Sequence, residues 1–319
     1  MRIFLKILVG LIGLATLLLL GFVAFNWAPD RSVADLQRRW APPPSSFIEV
    51  AGMRVHMRDE GPRDDPVPLV LLHGTSASLH TWDGWADGLK ASRRVIRIDL
   101  PGFGLTGPYP DSDYTVEHYA KFMHAFLDRL GVTRCVLVGN SFGGQVALVT
   151  ALATPARVDR LILIDSSGYP MAPDSIPLAF RIARLPVLSQ IARVTLPRRV
   201  VEESIRNVYG DPARVTPELI ERYFELTLRE GNRAALAERL KHVPIDAITA
   251  RIPEIKIPTL ILWGGLDRLI PPAAGQRFAN DIAGSRLQIF DDLGHVPHEE
   301  DPARTVAAAI AFLDEKMSR

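Results

Sequence analysis

Five residues near the middle of the chain constrain its fold more than any other feature of the sequence. Residues 139–143 read GNSFG, so that Ser141 stands between two glycines, directly after the apolar run 135–138 and directly before a helical segment. In such a strand–turn–helix context the serine sits on a sharp turn that lifts its hydroxyl clear of a sheet. A side chain at either glycine is expected to clash with the neighbouring strand and helix. The pattern predicts Ser141 as a nucleophile on an α/β scaffold.

Short apolar runs recur on both sides of this motif and indicate buried strands. These runs lie at residues 68–72, 94–98, 135–138, 161–164, 259–263 and 287–290, after a predicted strand pair at 47–50 and 53–58. Segments with helical spacing alternate with them, and the segment 114–130 stops at Gly131 as a helix would. This alternation predicts an α/β fold with a mostly parallel sheet and helices on both faces.

One stretch breaks the alternation. Residues 169–249 contain helical patterns and prolines but no strand-like run, and they divide the predicted core into 47–168 and 250–319. Insertions after the carboxyl end of a strand lie over the crevice where such sheets bind ligands, so we predict a helical cap. Within it, residues 180–194 mix arginines with large apolar side chains. This segment fits a cap helix with a solvated basic face, or a lid that touches a membrane surface.

The first residues are the compositional outlier. Residues 7–25 carry no charge over 19 positions, follow Arg2 and Lys6, and precede Trp27. A helix of that length spans about 28 Å, close to the hydrocarbon thickness of a bilayer. We predict a transmembrane anchor over residues 1–27, with a cleaved signal peptide and a buried helix as the alternatives. The basic amino terminus favours a single pass of the inner membrane, with the catalytic domain on the non-cytoplasmic side.

Residues 28–46 are predicted to form a Pro-rich linker between this anchor and the core. Three consecutive prolines occupy positions 42–44. Prolines lock φ and favour extended geometry, so the segment is expected to act as a spacer that leaves the catalytic domain independent of its anchor.

Composition excludes several function classes. The 37 basic and 36 acidic side chains give a net charge of +1, so no overall field favours a nucleic acid partner. Cys135 is the single cysteine of the sequence, which excludes an internal disulfide and a cysteine-based metal site. The neighbouring acids Asp291 and Asp292 lack matching ligands nearby in sequence, so no metal is predicted, and no cofactor either.

A serine hydroxyl needs an adjacent base and a third group that orients the base. Asp267 follows the apolar run 259–263, and His295 follows the run 287–290. Both therefore lie in loops at the carboxyl ends of strands, on the same edge as Ser141. Asp165 is the rival acid because it also ends a predicted strand, and His298 is the rival base.

A tetrahedral intermediate also needs two backbone N–H donors for its oxyanion. One is expected from Phe142, the residue after the nucleophile. The other is expected from the loop that follows the run 68–72, where Thr75 is the predicted donor.

Several motifs together resemble the α/β-hydrolase superfamily. They are HG at 73–74, DLPGFG at 99–104, GNSFG at 139–143, WGGLD at 263–267 and GH at 294–295. The resemblance covers the chain from residue 47 onward apart from the cap, and it is greatest to capped bacterial lipases and esterases. It implies hydrolysis of a small-molecule or lipid ester through an acyl-enzyme.

Several other functions are weighed against ester hydrolysis. The elbow GNSFGG is also similar to that of hydrolases that cleave carbon–carbon bonds in ring-fission products, but those usually carry HGxGPG where this chain has HGTSAS at 73–78. Serine at the elbow differs from the aspartate of epoxide hydrolases and haloalkane dehalogenases. A non-catalytic scaffold usually loses a member of the triad, whereas this chain has a full set.

Overall fold

The computed structural model describes residues 1–170, 186–241 and 246–315. Its described part contains an eight-stranded sheet in the order β1-β2-β4-β3-β5-β6-β7-β8, and only the pairings of β2 with β1 and β4 are antiparallel. The strands are β1 Ser46–Val50, β2 Met53–Glu60, β3 Leu69–Leu72, β4 Val95–Ile98, β5 Cys135–Asn140, β6 Val158–Ile164, β7 Thr259–Gly264 and β8 Arg286–Phe290. The predicted fold class, a mostly parallel α/β sheet, is confirmed.

Helices alternate with these strands as the sequence predicts. Before the cap they are α1 Arg2–Phe25, α2 Val33–Trp40, α3 Asp83–Leu89, α4 Val116–Arg129 and α5 Phe142–Ala153. Between β6 and β7 they are α6 Pro186–Val194, α7 Arg198–Val208, α8 Pro217–Thr227, α9 Asn232–Arg239 and α10 Asp246–Thr249. The last three are α11 Pro272–Asp281, α12 Pro297–Glu300 and α13 Pro302–Leu313. Short 3-10 turns lie at Leu79–Trp82, Pro155–Arg157, Pro212–Arg214 and Ile252–Glu254.

Two apolar layers bury the faces of the sheet. One side packs against α4, α5 and α11, with Phe126, Leu148 and Phe278 in the core. The other side packs against α3 and α13, with Trp85 and Phe312 among the buried side chains. Because both faces are covered, β3 and β5 are apolar at nearly every position, which is the pattern that identified them in the sequence.

The described cap helices α6 to α10 all fall within residues 169–249, where the sequence predicts a cap. Part of the predicted lid, residues 180–185, lies outside the described residues. The remainder of that lid is α6, which ends at Val194.

The first helix, α1, is 24 residues long, has no buried residue, and contains an 18-residue stretch with a mean hydropathy of 2.7. By length and composition it can cross a membrane, and a signal sequence would pass the same test. Its amino-terminal position leaves both interpretations open.

The segment after α1 differs from the expected spacer. Residues 33–40 form helix α2, which Ser32 caps by accepting a hydrogen bond from the N–H of Asp35. Leu36 and Trp40 are buried against Leu105 and Leu226. The apolar positions of α2 therefore pack on the core and the cap. The short run that contains the prolines forms a turn, in which the N–H of Ser45 donates to the carbonyl oxygen of Pro42 at 3.0 Å.

Candidate active site

Ser141 occupies the turn between β5 and α5, with φ 54° and ψ −120°. The glycines on either side allow this turn. A Cβ at Gly139 would lie 2.3 Å from the carbonyl oxygen of Gly143, and a Cβ at Gly143 would lie 2.2 Å from the carbonyl oxygen of Leu72. Both approaches are far inside van der Waals contact, so strand, turn and helix can only meet if these positions lack side chains. The backbone strain at a non-glycine residue is typical of a functional site.

Asn140 fixes the elbow to its neighbours. Its side-chain amide donates to the carbonyl oxygens of Ile164 at 3.1 Å and His295 at 3.0 Å. The N–H of Ser141 donates to the same Ile164 oxygen at 3.0 Å. Sequence reasoning missed this role because position 140 is an unrestricted position of the motif. It joins the nucleophile loop to the histidine loop.

His295 and Asp267 form a hydrogen-bonded pair. The imidazole Nδ1 lies 2.7 Å from Oδ2 of Asp267. The other oxygen of that carboxylate accepts from the N–H groups of Leu269 at 2.7 Å and Ile270 at 2.9 Å. A carboxylate held in this way keeps the proton of the neutral imidazole on Nδ1 and leaves the Nε2 lone pair available.

The base is sheltered from solvent. Ser141 is 7% exposed and His295 is 4% exposed. The Nε2 atom of His295 is buried and has no hydrogen-bond partner among the described residues. A buried acceptor without a partner is costly, so its retention fits a role in proton transfer with the substrate or with Ser141.

The cap holds the histidine loop in place. The N–H of His295 donates to the carbonyl oxygen of Val208, at the end of α7, at 2.7 Å. Glu300 accepts from the N–H of Gly210 at 2.9 Å and from the N–H of Gly294 at 2.8 Å. These bonds connect α7 to the loop that carries the base, so a shift of the cap would move His295.

The rival base has a different environment. His298 is buried, its ring centroid lies 4.1 Å from that of Trp82, and neither ring nitrogen has a partner among the described residues. Burial lowers the pKa of His298 to about 3, so the ring is neutral at ordinary pH. Of the two histidines it is His295 that contacts a carboxylate.

The rival acid lies beside the pair without contacting the base as Asp267 does. Asp165 directly follows β6, is fully buried, and accepts a 2.9 Å hydrogen bond from the N–H of Gly264. Asp165, Asp267 and His295 each have one side-chain oxygen or nitrogen within 4.8 Å of those of the other two, a spacing at which such atoms could also bind a metal ion. The 2.7 Å bond between Asp267 and His295 instead indicates an acid–base pair.

His73 organises the predicted oxyanion loop. Its Nε2 accepts from the N–H of Leu100 at 3.0 Å, so its Nδ1 carries the proton and donates to the carbonyl oxygen of Gly74 at 2.7 Å. Burial lowers the pKa of His73, which agrees with a neutral ring in this role. The residue therefore has a structural role in this loop.

Arg239 of the cap reaches the two predicted oxyanion donors. Its guanidinium donates to the hydroxyl of Thr75 at 3.0 Å and lies 4.3 Å from the ring centroid of Phe142. Phe142 is the first residue of α5, where a backbone N–H has no acceptor within the helix. Nothing in the sequence singled out Arg239, because its position on α9 relative to residue 75 depends on how the cap folds back.

This combination of a mostly parallel sheet, a serine elbow and an acid-oriented histidine defines a serine hydrolase scaffold. The chain belongs to the α/β-hydrolase family: a family model described as alpha/beta hydrolase fold matches residues 67–302.

Individual relatives have several different names. A 2-hydroxy-6-oxononadienedioate/2-hydroxy-6-oxononatrienedioate hydrolase of Escherichia coli O81 is 30% identical over 78% of this chain and 87% of its own length. A meta-cleavage product hydrolase from Pseudomonas fluorescens IP01 is 24% identical with a TM-score of 0.72, over 84% of this chain and 97% of that chain. A membrane phospholipase A is 26% identical with a TM-score of 0.70, over 98% of both chains. The names of these three relatives have hydrolysis in common and differ in the substrate.

Proposed function

We propose that the protein is a membrane-anchored serine hydrolase that cleaves carboxylic esters of amphiphilic substrates through an acyl-enzyme on Ser141. One observation carries the choice of substrate class: the chain just after α1 pairs with the chain just after α6. The N–H of Ala28 donates to the carbonyl oxygen of Val194 at 3.0 Å, and the N–H of Leu196 donates to that of Asn26 at 3.1 Å. If α1 spans a bilayer, these bonds hold the cap at the membrane surface.

The chemical steps follow from the site. Ser141 attacks the ester carbonyl carbon while Nε2 of His295 takes the hydroxyl proton, and Asp267 stabilises the resulting imidazolium. The N–H groups of Thr75 and Phe142 bind the oxyanion. His295 then gives its proton to the departing alcohol, and a water molecule releases the acid from Ser141 by the same route.

A second candidate is hydrolysis of a carbon–carbon bond next to a carbonyl group by the same residues. The names of the E. coli relative and of the meta-cleavage product hydrolase support it, and together the names favour it more than ester hydrolysis. The likeness to a membrane phospholipase A along nearly the whole chain, α1 included, supports ester hydrolysis. We place ester hydrolysis first because a cap attached to a membrane anchor would lie close to a substrate in that membrane.

The two candidates are separated by assaying the detergent-solubilised full-length protein on 4-nitrophenyl esters of increasing chain length and on a vinylogous diketone of the ring-fission type. We expect kcat/KM to be higher for the esters and to rise with chain length. Ser141→Ala should lower turnover at least about 1,000-fold, as loss of a triad nucleophile does. A diketone cleaved faster than every ester would reverse the order of the candidates. A Ser141→Ala variant with a tenth of wild-type turnover would remove the nucleophile from the proposal.

A further inference from the structure

A second buried acid lies beside the triad, and the mechanism above does not use it. Asp165 has no solvent exposure and adopts φ 42°, in the left-handed region that few residues other than glycine tolerate. Such a backbone conformation costs on the order of 1 kcal/mol or more. A buried carboxyl in a strained position is expensive to keep, so its contacts indicate what it does.

The two oxygens of Asp165 have different surroundings. Oδ1 accepts the N–H of Gly264 at 2.9 Å. Oδ2 is buried and has no donor among the described residues. The side chain faces Asp267, and the nearest ligand-type atoms of Asp165, Asp267 and His295 all lie within 4.8 Å of one another. An ionised Asp165 would therefore place one carboxylate oxygen without a donor next to another carboxylate.

Two carboxylates this close in a buried site do not both ionise readily, and their donors decide which one holds the proton. Asp267 accepts from two backbone N–H groups and from His295. Among the described residues, Asp165 accepts only from the N–H of Gly264. Burial, followed by the negative charges of Asp267 and Glu300, raises the pKa of Asp165 well above its usual range. The proton of the pair thus belongs on Asp165.

We propose that Asp165 is a neutral carboxylic acid whose O–H donates a hydrogen bond to Asp267, and that it is a positioning residue for the carboxylate that orients His295. The inference rests on the proposed hydrolytic function of this site. It gives Oδ2 of Asp165 the partner it otherwise lacks, since a protonated oxygen becomes a donor. It also leaves a single negative charge beside the imidazolium that forms during the reaction.

The test compares two replacements of similar size. In Asp165→Asn the amide still accepts from Gly264 and still donates toward Asp267, but it carries no charge at any pH. In Asp165→Leu the donor is lost. We expect Asp165→Asn to keep kcat within about threefold of wild type, and Asp165→Leu to lower kcat about tenfold or more with little change in KM. Asp267→Asn is the matched control, with an expected loss of several thousand-fold, by analogy with the same change in a serine protease.

The pH profile of kcat/KM distinguishes this role from a structural one. The groups that face Asp165 are Asp267, Glu300 and His295. If Asp165 is neutral, Asp165→Asn removes no charge and the acid limb of the profile should stay in place. If Asp165 is ionised, the same change removes a negative charge, shifts that limb toward lower pH by about one unit and lowers kcat. A shifted acid limb or a lowered kcat in Asp165→Asn overturns the proposal, whether or not Asp165→Leu folds.

A readout without substrate separates this inference from the proposed function. A protonated carboxylic acid has its own infrared C=O stretch, distinct from that of a carboxylate. The wild-type protein at pH 7 should show one such band that is missing in Asp165→Asn and present in Ser141→Ala. A protein that cleaves neither esters nor diketones but shows the band would refute the function and keep the inference. Absence of the band in an enzyme that cleaves esters or diketones would refute the inference and keep the proposed function.

Discussion

The indole N–H of Trp40 donates a 2.6 Å hydrogen bond to Glu225, across 185 residues of sequence. Glu225 also pairs with Arg31 and, at 3.4 Å, with Arg39. Three donors from the segment after the membrane-type helix thus converge on one nearly buried carboxylate of the cap helix α8. Loss of these partners would leave a buried charge unpaired, and the free-energy cost of an unpaired charge exceeds the net contribution of the pairs. The segment is therefore part of the folded domain.

Two truncations test that statement. A protein without residues 1–25 retains α2 and all the named donors to Glu225. We expect its unfolding by heat and by urea to be that of an intact hydrolase domain. A protein without residues 1–46 loses Leu36 and Trp40 from the core and leaves Glu225 without these donors. We expect it to be less stable by about 3–5 kcal/mol, the range for deletion of a large buried side chain. Equal free energies of unfolding for the two proteins would show that the docking contributes nothing. Trp40→Phe, which keeps a ring and loses the N–H, is a milder control expected at about 1–3 kcal/mol.

How much of the fold and of the candidate site could be predicted from the sequence depends on how far apart in the chain the residues that determine each feature lie. The elbow was readable because strand, glycines, serine and helix follow one another within residues 135–153. The loops of Asp267 and His295 were readable for the same reason, since each follows its own apolar strand. Helix α2 was missed because the neighbouring prolines dominate the local pattern.

The rest depends on contacts between distant parts of the chain. The bond between Trp40 and Glu225, and that between Arg239 and Thr75, exist only once the cap has folded over the core. The choice between Asp267 and Asp165 as the partner of His295 is of this kind. Both acids follow parallel strands, and only the packed loops place Asp267 against the imidazole.

Acid sensitivity should depend in part on His298. The folded protein holds the pKa of this ring at about 3, against about 6.5 in an unfolded chain. The unfolded state therefore binds a proton below pH 6.5 that the folded state refuses, and stability falls as the pH decreases from about 6.5 toward 3, by about 1.4 kcal/mol for each pH unit.

The variant His298→Phe keeps a ring against Trp82 and cannot titrate. The difference in free energy of unfolding between pH 7 and pH 5, measured with urea, should be smaller in this variant than in wild type. The other buried histidines, His56, His73, His80 and His295, are common to both proteins and cancel in the comparison. An unchanged difference would mean that the ring already binds a proton in the folded protein.

Arg239 should influence turnover through the oxyanion donors. Its contacts with the side chains of Thr75 and Phe142 join both residues and bring a positive charge near these predicted oxyanion donors. Arg239→Met is expected to lower kcat about tenfold, equivalent to about 1.4 kcal/mol of transition-state stabilisation. Arg233→Met is the matched control, because Arg233 is also a buried arginine of α9 but pairs with Asp30. It should lower stability and leave kcat unchanged. Equal effects of both variants on kcat would assign the loss to the cap as a whole.

The last prediction concerns the attachment of the full-length protein to the membrane. Helix α1 has no buried residue, and its apolar side chains face outward all round. A helix of this kind is retained by transfer into hydrocarbon, which salt does not screen, whereas at about 1 M salt the Debye length is only about 3 Å and a protein held by charge is released. We therefore expect the full-length protein to stay in the membrane fraction through high-salt and carbonate washes, and the protein without residues 1–25 to be soluble.

The same fractionation distinguishes an anchor from a signal sequence. A soluble product shortened near residue 27 would identify α1 as a cleaved signal and would leave the cap without its attachment to a bilayer. If α1 is retained, the bonds that Asn26 and Ala28 make with Leu196 and Val194 place the end of α6 at the membrane surface. Removing residues 1–25 should then lower activity on long-chain esters in vesicles while sparing a short water-soluble ester, because the triad and α2 are intact. Equal losses on both substrates would mean that the anchor supports the fold of the site and has no part in bringing it to its substrate.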